Sequence, residues 1–232
     1  MEKRKVRRRA VPHLWCFMRY DHVIWDFNGT VLADMQAGID AVNEMLGERG
    51  LPTLPDMETY RRAFRFPVEQ YYRDLGFDFE KEDYKTVLAP LWVSLYNKYS
   101  SDAPLFDGVR ELTAALRAAG VRQSILSASE KEMMVAQLKE REALSFFDEI
   151  WGNESIHAYG KNALAARWRE THQQARAVLL GDTTHDFEIA REMGADCILI
   201  AAGHHDMARL SACGVPVAKD LFEAAAVLGI TL

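Results

Sequence analysis

The sequence has few cysteines and no long apolar stretch, and both deficits limit the classes of protein that it can encode. Its 232 residues include three cysteines, Cys16, Cys197 and Cys213, which give neither an even disulfide set nor a metal-binding spacing. We therefore expect a reducing, cytoplasmic setting. The longest apolar stretches, at 177–180 and 197–202, have the length of a strand. A membrane span needs roughly 20 apolar residues, so we expect no membrane partner.

Basic residues are outnumbered by acidic ones, 28 to 34. The formal net charge is −6, which argues against nucleic acid as a general partner. Residues 1–17 are the exception, because lysines and arginines cluster between Lys3 and Arg9. Such a run can contact nucleic acid or a membrane, but we favour a disordered tail, and the run lacks the apolar stretch of a secretory signal. Since Met18 lies just ahead of the first predicted strand, we also expect residues 1–17 to lie upstream of the native start.

Alternating strand and helix patterns predict an α/β fold, in which a Rossmann-like parallel sheet is covered by helices on both faces. The predicted strands are 22–25, 123–126, 148–151, 177–180 and 197–201. Most of them end in polar residues, and the carboxyl edge of an open α/β sheet is where ligands bind. Between the strands we expect a helix capped by Asp107 and ended by Gly120, and another from Phe187 to Met193.

The strand pattern stops after the first strand and resumes much later in the chain. In between, apolar residues recur at helical spacing, with Pro67 starting one helix and Pro90 kinking another. We interpret residues 35–104 as an all-helical cap domain inserted into a catalytic core formed by 18–34 and 105–232.

Two of the four motifs that carry candidate chemistry follow the first and second strands. Asp26 begins the turn at 26–30, and a carboxylate at a strand end can attack phosphorus to form an aspartyl-phosphate. Ser127 follows the second strand, where its hydroxyl can donate a hydrogen bond to a phosphoryl oxygen. It could equally cap the helix that begins near Glu130.

The other two motifs follow the third and fourth strands. Lys161 places an ammonium group where it can neutralise a nucleophilic carboxylate and a transferring phosphoryl group, unless it is a solvated surface lysine. Asp182 and Asp186 lie four residues apart at a strand-to-helix junction, and such a pair suits a hard cation such as Mg²⁺. Asp186 could instead only cap the next helix. The order of the four motifs is a stronger signal than any one of them.

In this order the motifs resemble those of the haloacid dehalogenase-like (HAD) superfamily, specifically its phosphoglycolate phosphatase-like members with a helical cap. The resemblance extends from about Met18 to the C-terminus. It implies a Mg²⁺-dependent phosphatase that acts on a small phosphorylated metabolite, with 2-phosphoglycolate as the substrate that the likeness suggests. Either a monomer or a homodimer would be consistent with it.

The resemblance also implies a role for each motif residue. Asp26 resembles the nucleophile and a metal ligand, and Asn28 would offer its backbone carbonyl to Mg²⁺. Asp182 would be the direct carboxylate ligand, with Asp186 binding through or beside metal-bound water. Ser127 would hold a phosphoryl oxygen, and Lys161 would bridge Asp26 and the phosphoryl group. The predicted substrate-binding residues are Thr30, Ser127, Ala128, Lys161 and, from the cap, Arg65.

One position departs from the pattern of the family, whose phosphatases usually carry aspartate two residues after the nucleophile. Asn28 stands there, and an amide cannot exchange a proton at neutral pH. General acid–base help is commonly worth about 10²–10⁴-fold, so we expect slow turnover of alkyl phosphates, better turnover of aryl or acyl phosphates, and slow hydrolysis of the aspartyl-phosphate. His157, His185 or a cap residue could substitute. A second class of function stays open, a weakly catalytic protein that binds a phosphorylated metabolite or Mg²⁺ as a sensor or partner module.

The predicted cap offers further candidates for substrate contact. Side chains there that could contact an anionic group are Arg61, Arg62, Arg65, Tyr71 and Tyr72. Four aromatic residues are assigned to the cap core rather than to a substrate platform, namely Phe64, Phe66, Trp92 and Tyr96. After the fifth strand, Gly203-His204-His205 could either line the pocket or form a surface loop.

Overall fold

The computed structural model describes residues 19–154 and 161–232. Its strands are β1 (His22–Trp25), β2 (Arg122–Glu130), β3 (Glu149–Asn153), β4 (Ala177–Gly181), β5 (Asp196–Ile200) and β6 (Val217–Ala218). Its α-helices are α1 (Met35–Glu48), α2 (Met57–Ala63), α3 (Val68–Asp74), α4 (Ala89–Ser100), α5 (Val109–Ala118), α6 (Lys131–Glu140), α7 (Lys161–Thr171), α8 (Thr184–Met193), α9 (Met207–Ser211) and α10 (Leu221–Leu228). A π-helical turn spans Tyr84–Leu88, and a 3-10 turn spans Leu144–Phe146.

The strands form one parallel sheet in the order β3-β2-β1-β4-β5-β6. His22 of β1 lies opposite Arg122 of β2 on one side and Ala177 of β4 on the other. The order of the strands therefore reverses beside β1, and open α/β sheets bind ligands at such a switch point. The predicted parallel α/β sheet is confirmed. Strand β6 was not predicted, because two residues are too few to show a period.

Successive side chains of each strand pack on opposite faces of the sheet. Val23 and Trp25 of β1 belong to an apolar cluster with Leu112 of α5, whereas Ile24 packs in a second cluster with Trp168 of α7. All these side chains are buried, and each contributes roughly 1.5–3 kcal/mol by leaving water. Because helices cover both faces, strands β1, β4 and β5 consist mainly of apolar residues and do not alternate with polar ones.

His22 is a polar side chain inside this apolar strand. Its Nε2 shares a hydrogen bond of 2.7 Å with Ser124 Oγ, and its ring lies edge-on against Trp168. Burial, reinforced by the charges of His172 and Arg122, lowers the pKa of His22 from 6.5 to about 4. The folded protein therefore holds this ring neutral at pH values where the unfolded chain binds a proton.

Acidification is expected to destabilise the protein partly through His22. Because the pKa is lower in the folded state, the contribution to stability is fully present above about pH 6.5 and is lost as the pH falls towards 4. Between about pH 7.5 and about pH 5 the loss is about 2 kcal/mol. Urea unfolding of the parent and of His22→Gln should show a smaller pH dependence in the variant. The same loss in both proteins would contradict this assignment.

The helices from 35 to 100 form an apolar cluster of their own. Its fully or almost fully buried members include Ile39, Leu46, Tyr60, Tyr71, Tyr72 and Leu88. Helix α3 begins directly after Pro67 as predicted, and no strand lies within 35–104, all of which is described. This agrees with a helical insertion, while the boundaries of core and cap at 34/35 and 104/105 stay a prediction.

One local prediction is wrong and one stays a prediction. Pro90 lies in the first turn of α4, directly after the π-helical turn Tyr84–Leu88, so the helical hydrogen-bond pattern changes beside it, and a kink there stays a prediction. Asp107 does not cap α5, since Gly108 occupies the N-cap position with a φ of 91° and no side chain accepts there. A side chain at position 108 would be strained by this φ and would press on Leu221.

Arginines attach the helical insertion to the loops of the sheet. Arg61 of α2 donates to the carbonyl oxygens of Ala202 and Gly203 at 2.6 and 2.8 Å. In the opposite direction, Arg209 of α9 donates to the carbonyl oxygen of Phe64 at 2.5 Å. These bonds hold α2 over the carboxyl edge of the sheet. Within the described residues, no helix is both long and apolar enough for a bilayer crossing.

Candidate active site

Three carboxylates converge at the carboxyl edge of the sheet. Asp26 directly follows β1 and Asp182 directly follows β4, and these strands are neighbours in parallel register. Asp186 lies in the first turn of α8. One oxygen of each carboxylate lies within 4.8 Å of the others, and all three side chains are buried. The topology of the sheet thus brings together residues that lie far apart in the sequence.

The ammonium group of Lys161 joins two of these carboxylates. Lys161 is the first residue of α7, and its Nζ donates to Asp26 Oδ1 and to Asp186 Oδ1. Burial would lower the pKa of this lysine, but the two carboxylates outweigh burial and raise it above its usual value. Lys161 is thus a buried cation with 5% of its side chain exposed, not a solvated surface residue.

The charge of this cluster is unbalanced. Burial raises the pKa of Asp26 and of Asp182 well above the usual range, and the neighbouring Asp186 adds to both shifts. Burial also opposes the charge of Asp186, but Lys161 and Thr183 outweigh it and hold this pKa below its usual value. One ammonium group thus lies among three carboxyl groups, and ionisation of all three would leave excess negative charge. A hard divalent cation would favour the ionised forms, and oxygen atoms are the ligands that such a cation takes.

The two carboxylate oxygens of Asp186 accept hydrogen bonds from different neighbours. Its Oδ2 accepts from the backbone N–H and the hydroxyl of Thr183, which is the N-cap of α8. Its Oδ1 accepts from Lys161. Helix capping and membership of the charged cluster, which we treated as alternatives from the sequence, coexist in the structure.

Two glycines allow the chain to approach Asp182. A Cβ on Gly29 or on Gly203 would overlap the Asp182 carboxylate, so only glycine fits at either position. The backbone N–H of His204 donates to Asp182 Oδ2, and Thr30 Oγ1 lies 3.3 Å from Asp182 Oδ1. Thr30 therefore supports Asp182 and does not itself line the cavity. The loop 203–205 lies at the site, and His204 is part of the cavity wall.

The amide of Asn28 is held on all sides. Its Nδ2 donates to Asp34 Oδ2 at 2.6 Å and to the Tyr96 hydroxyl at 2.8 Å. Its Oδ1 accepts from Ser129 Oγ at 2.6 Å. Both N–H groups of the amide are thus committed. Neither Asp34 nor Ser129 was singled out from the sequence. Asp34 precedes α1 and Ser129 lies in β2, so these contacts depend on how the turn after β1 folds against its neighbours, which no motif shows.

Ser127 and Ala128 lie in the carboxyl-terminal half of β2. Both line the cavity, and Ser127 Oγ is 3.5 Å from Asn28 Oδ1. Ser127 Oγ accepts from Ser129 N within its own turn. Helix α6 begins at Lys131 with Glu130 as its N-cap and no side-chain cap bond. The alternative that Ser127 caps this helix is therefore wrong.

The predicted arginine contacts are not brought to the site. Arg65 pairs with Asp74 at the end of α3, because the segment between α2 and α3 carries it there. Arg62 pairs with Glu58 on the outside of α2, and Arg61 binds backbone carbonyl oxygens. None of the three lines the cavity. That Arg65 binds substrate stays a prediction, and this placement does not support it.

A cavity of about 900 Å³ lies between the helical insertion and the charged cluster. Asp26, Lys161 and Asp182 form part of its floor. Four residues that we assigned to the cap core also line this cavity, namely Phe64, Phe66, Trp92 and Tyr96. The assignment was incomplete, because a helix face that packs on its neighbours can also border a cavity.

The histidines proposed as substitutes for the missing acid differ in position. His157 lies outside the described residues. His185 lines the cavity, where its Nδ1 lies 3.3 Å from Glu188 Oε2 and its ring packs on Phe66. His185 is therefore within the cavity but is not in the carboxylate cluster.

The fold and the site together define a class, an α/β protein with an aspartate cluster at the switch point of a parallel sheet and a helical roof. Residues 23–200 match the model of the haloacid dehalogenase-like hydrolase family. The chain belongs to that family. The resemblance found in the motifs is thereby confirmed.

Individual relatives agree with this membership. The chain is 28% identical to a phosphoglycolate phosphatase of Nitrosospira multiformis over 192 residues, which cover 79% of this chain and 84% of the relative. It is 24% identical to a phosphoglycolate phosphatase of Synechococcus elongatus, with 82% and 88% covered. A haloacid dehalogenase-like hydrolase structure from Streptococcus pneumoniae has the same fold, with a TM-score of 0.77 and 23% identity over 90% of this chain and 98% of that one.

Proposed function

We propose that the protein is a Mg²⁺-dependent phosphatase that hydrolyses a small phosphorylated metabolite through an aspartyl-phosphate on Asp26. The observation that carries the proposal is the contact of Lys161 with both Asp26 and Asp186, beside the buried carboxylate of Asp182. A buried ammonium group at this point can stabilise an anionic phosphoryl group beside an anionic nucleophile. Family membership and the relatives named phosphoglycolate phosphatase support the same conclusion.

The residues of the cluster fit a hard divalent cation. Asp26, Asp182 and Asp186 would hold Mg²⁺ together with the backbone carbonyl of Asn28, since oxygen atoms are its preferred ligands. A bound Mg²⁺ would supply positive charge to the phosphoryl oxygens.

The side chains of the chain carry the remaining steps. A carboxylate oxygen of Asp26 attacks phosphorus, the phosphorus–oxygen bond to the leaving group breaks, and the leaving oxygen takes the bonding pair. Lys161 Nζ and Ser127 Oγ hold oxygens of the phosphoryl group. Water then cleaves the acyl phosphate, which releases inorganic phosphate and restores the Asp26 carboxylate. The helical insertion lies over the cavity and limits the access of bulk water during these steps.

The amide of Asn28 determines which leaving groups the site can release readily. Its two N–H groups are committed to Asp34 and Tyr96, and an amide has no proton to release at neutral pH. The leaving oxygen must therefore depart as an anion or take its proton from elsewhere. Leaving groups of low pKa, such as phenols, suit this site better than simple alcohols.

A catalytically weak protein that binds a phosphorylated metabolite or Mg²⁺ is the second candidate. The commitment of the Asn28 amide favours it. The buried contact between Lys161 and Asp26 opposes it, because a pure binding site has little need of a nucleophile. The cytoplasmic setting and the choice between monomer and homodimer stay predictions from the sequence.

The proposal is tested by Mg²⁺-dependent release of phosphate from 4-nitrophenyl phosphate. We expect turnover that disappears with EDTA and returns with added Mg²⁺. Asp182→Asn removes one of the three converging carboxylates, so the Mg²⁺ concentration for half-maximal activity should rise at least about tenfold. Glu192→Gln is the matched control, since Glu192 is an exposed carboxylate on the same helix as Asp186.

The two candidates give different results in this assay. A phosphatase releases phosphate and responds to Asp182→Asn but not to Glu192→Gln. A binding protein takes up Mg²⁺ in calorimetry without releasing phosphate. Turnover that persists in EDTA would contradict the metal requirement.

A further inference from the structure

The cavity over Asp26 is large and mostly aromatic on the side of the helical insertion. Its volume of about 900 Å³ is at the upper end of the range of pockets for drug-sized ligands, ~300–1,000 Å³. Its aromatic residues include Phe64, Phe66, Tyr71, Tyr72, Tyr84 and Trp92. A leaving group of two carbons, such as glycolate, would fill only a small part of this space.

The charges of the cavity are unsuited to an anionic leaving group. Among the described residues that line it, Lys161 is the one lysine or arginine, and its ammonium group is already paired with two carboxylates. Beyond the converging cluster, the wall includes Asp34, Glu130 and Glu188. Among the described residues of the wall, a carboxylate on the leaving group would find no lysine or arginine beyond Lys161 to pair with.

A hydroxyl in the cavity wall is buried without a partner. Tyr71 is 3% exposed, and within the described part of the chain its hydroxyl has no hydrogen-bond partner. Its ring is packed edge-on against Tyr60, Phe64 and Tyr72. Burial raises the pKa of the Tyr71 hydroxyl, which keeps it a neutral donor. Because this oxygen atom has almost no accessible surface, a ligand in the cavity would meet the apolar ring of Tyr71 rather than its hydroxyl.

We infer that the leaving group of the natural phosphate ester is an uncharged group that contains an aromatic ring. This inference rests on the proposed phosphatase function and names the class of substrate for the same site. Aromatic rings pack favourably, edge-to-face or offset, against walls of this kind. Asn28 supports the same class, because a phenolic leaving group needs little protonation by the enzyme.

The inference is tested with alkyl phosphates, whose leaving groups are all alcohols and therefore all depend on a proton far more than phenols do. We compare kcat/KM for ethyl phosphate, 2-phenylethyl phosphate, 2-phosphoglycolate and phosphocholine. The phenyl group should raise kcat/KM over ethyl phosphate by about 10- to 100-fold, because it fills an apolar pocket. The carboxylate of 2-phosphoglycolate should bring kcat/KM below that of 2-phenylethyl phosphate by at least the same factor.

A variant tests whether the preference for 2-phenylethyl phosphate arises from contacts in this cavity. Phe66 lines the cavity and is 41% exposed, so Phe66→Ala removes ring contact at small risk to the fold. The ratio of 2-phenylethyl to ethyl phosphate should fall at least about threefold in this variant. Phe222→Ala is the control, since Phe222 is a similarly exposed phenylalanine on α10 and does not line the cavity. Its ratio should equal that of the parent.

The outcomes separate this inference from the proposed function. A ratio near one, a preference for 2-phosphoglycolate or phosphocholine, or a ratio unchanged by Phe66→Ala would overturn the inference. In each of these cases the protein still hydrolyses 4-nitrophenyl phosphate with Mg²⁺. Absence of that hydrolysis would instead contradict the proposed phosphatase itself.

Discussion

Replacing Asn28 with aspartate is expected to raise the turnover of an alkyl phosphate by about a hundredfold, within the range that general acid–base catalysis supplies. A carboxyl group at this position could protonate the leaving oxygen and afterwards accept a proton from the attacking water. The asparagine amide can do neither. For 4-nitrophenyl phosphate the gain in kcat/KM should be small, because nitrophenolate leaves in the first step without a proton.

The surroundings of Asn28 would favour the protonated form of the new carboxyl group. Asn28 Nδ2 lies 2.6 Å from Asp34 Oδ2, so Asn28→Asp places two carboxyl groups in hydrogen-bond contact. Two such groups share one proton, because like charges at this distance cannot both ionise readily. The pair would then hold a proton near neutral pH, as a general acid must.

A double variant separates proton transfer from a change in packing. Asn28→Asp combined with Asp34→Asn exchanges a carboxyl group and an amide, so the net charge and the hydrogen bond between the two positions are kept. We expect the double variant to hydrolyse 2-phenylethyl phosphate faster than the parent, whereas Asp34→Asn alone should give no gain. If kcat is unaltered or lower in both proteins that carry Asn28→Asp, our account of Asn28 is wrong.

Replacing Asp26 with asparagine is expected to abolish turnover, with a loss in kcat of at least about 10³-fold on every phosphate ester. The amide cannot form an acyl phosphate by direct attack, while its size and its position after β1 are kept. The loss should be the same for aryl and alkyl phosphates, because both react through the same nucleophile.

The stability of the Asp26→Asn variant shows whether its inactivity comes from loss of the nucleophile or from unfolding of the protein. Burial raises the pKa of Asp26 well above the usual range, so its ionised form is unfavourable in the metal-free protein. A neutral amide removes one of three crowded carboxylates and leaves Lys161 in contact with Asp186. Thermal unfolding in EDTA should therefore occur at the parental temperature or above. An inactive variant with a clearly lower unfolding temperature would mean that Asp26 mainly supports the fold.

The convergence of Asp26 and Asp182 could be predicted from the sequence because it depends on local patterns and one rule of topology. Apolar strand-length segments locate β1 and β4, and parallel strands bring their carboxyl ends to one edge. The side chains that follow each strand must then be neighbours. The same rule places Ser127, the residue that follows the predicted second strand, at this edge.

Contacts that depend on the packing of distant helices could not be predicted. Tyr96 reaches Asn28 from α4, and no local pattern encodes the approach of α4 to the turn after β1. Arg65 is paired with Asp74 through the angle between two short helices. Helical periodicity shows that Phe66 and Trp92 lie among apolar neighbours. It does not show whether the space beside them is filled, and in the structure both border the cavity.

The covalent intermediate on Asp26 is the most direct test of the account. Parent protein is mixed with excess 4-nitrophenyl phosphate and Mg²⁺, quenched in acid within milliseconds, and digested for peptide mass analysis. We predict a burst of about one equivalent of nitrophenol before slow steady turnover, since Asn28 cannot activate the water that cleaves the intermediate. The phosphoryl group should be found on the peptide that contains Asp26. Steady turnover from the first cycle with no phosphorylated peptide, or a phosphoryl group on another residue, would contradict it.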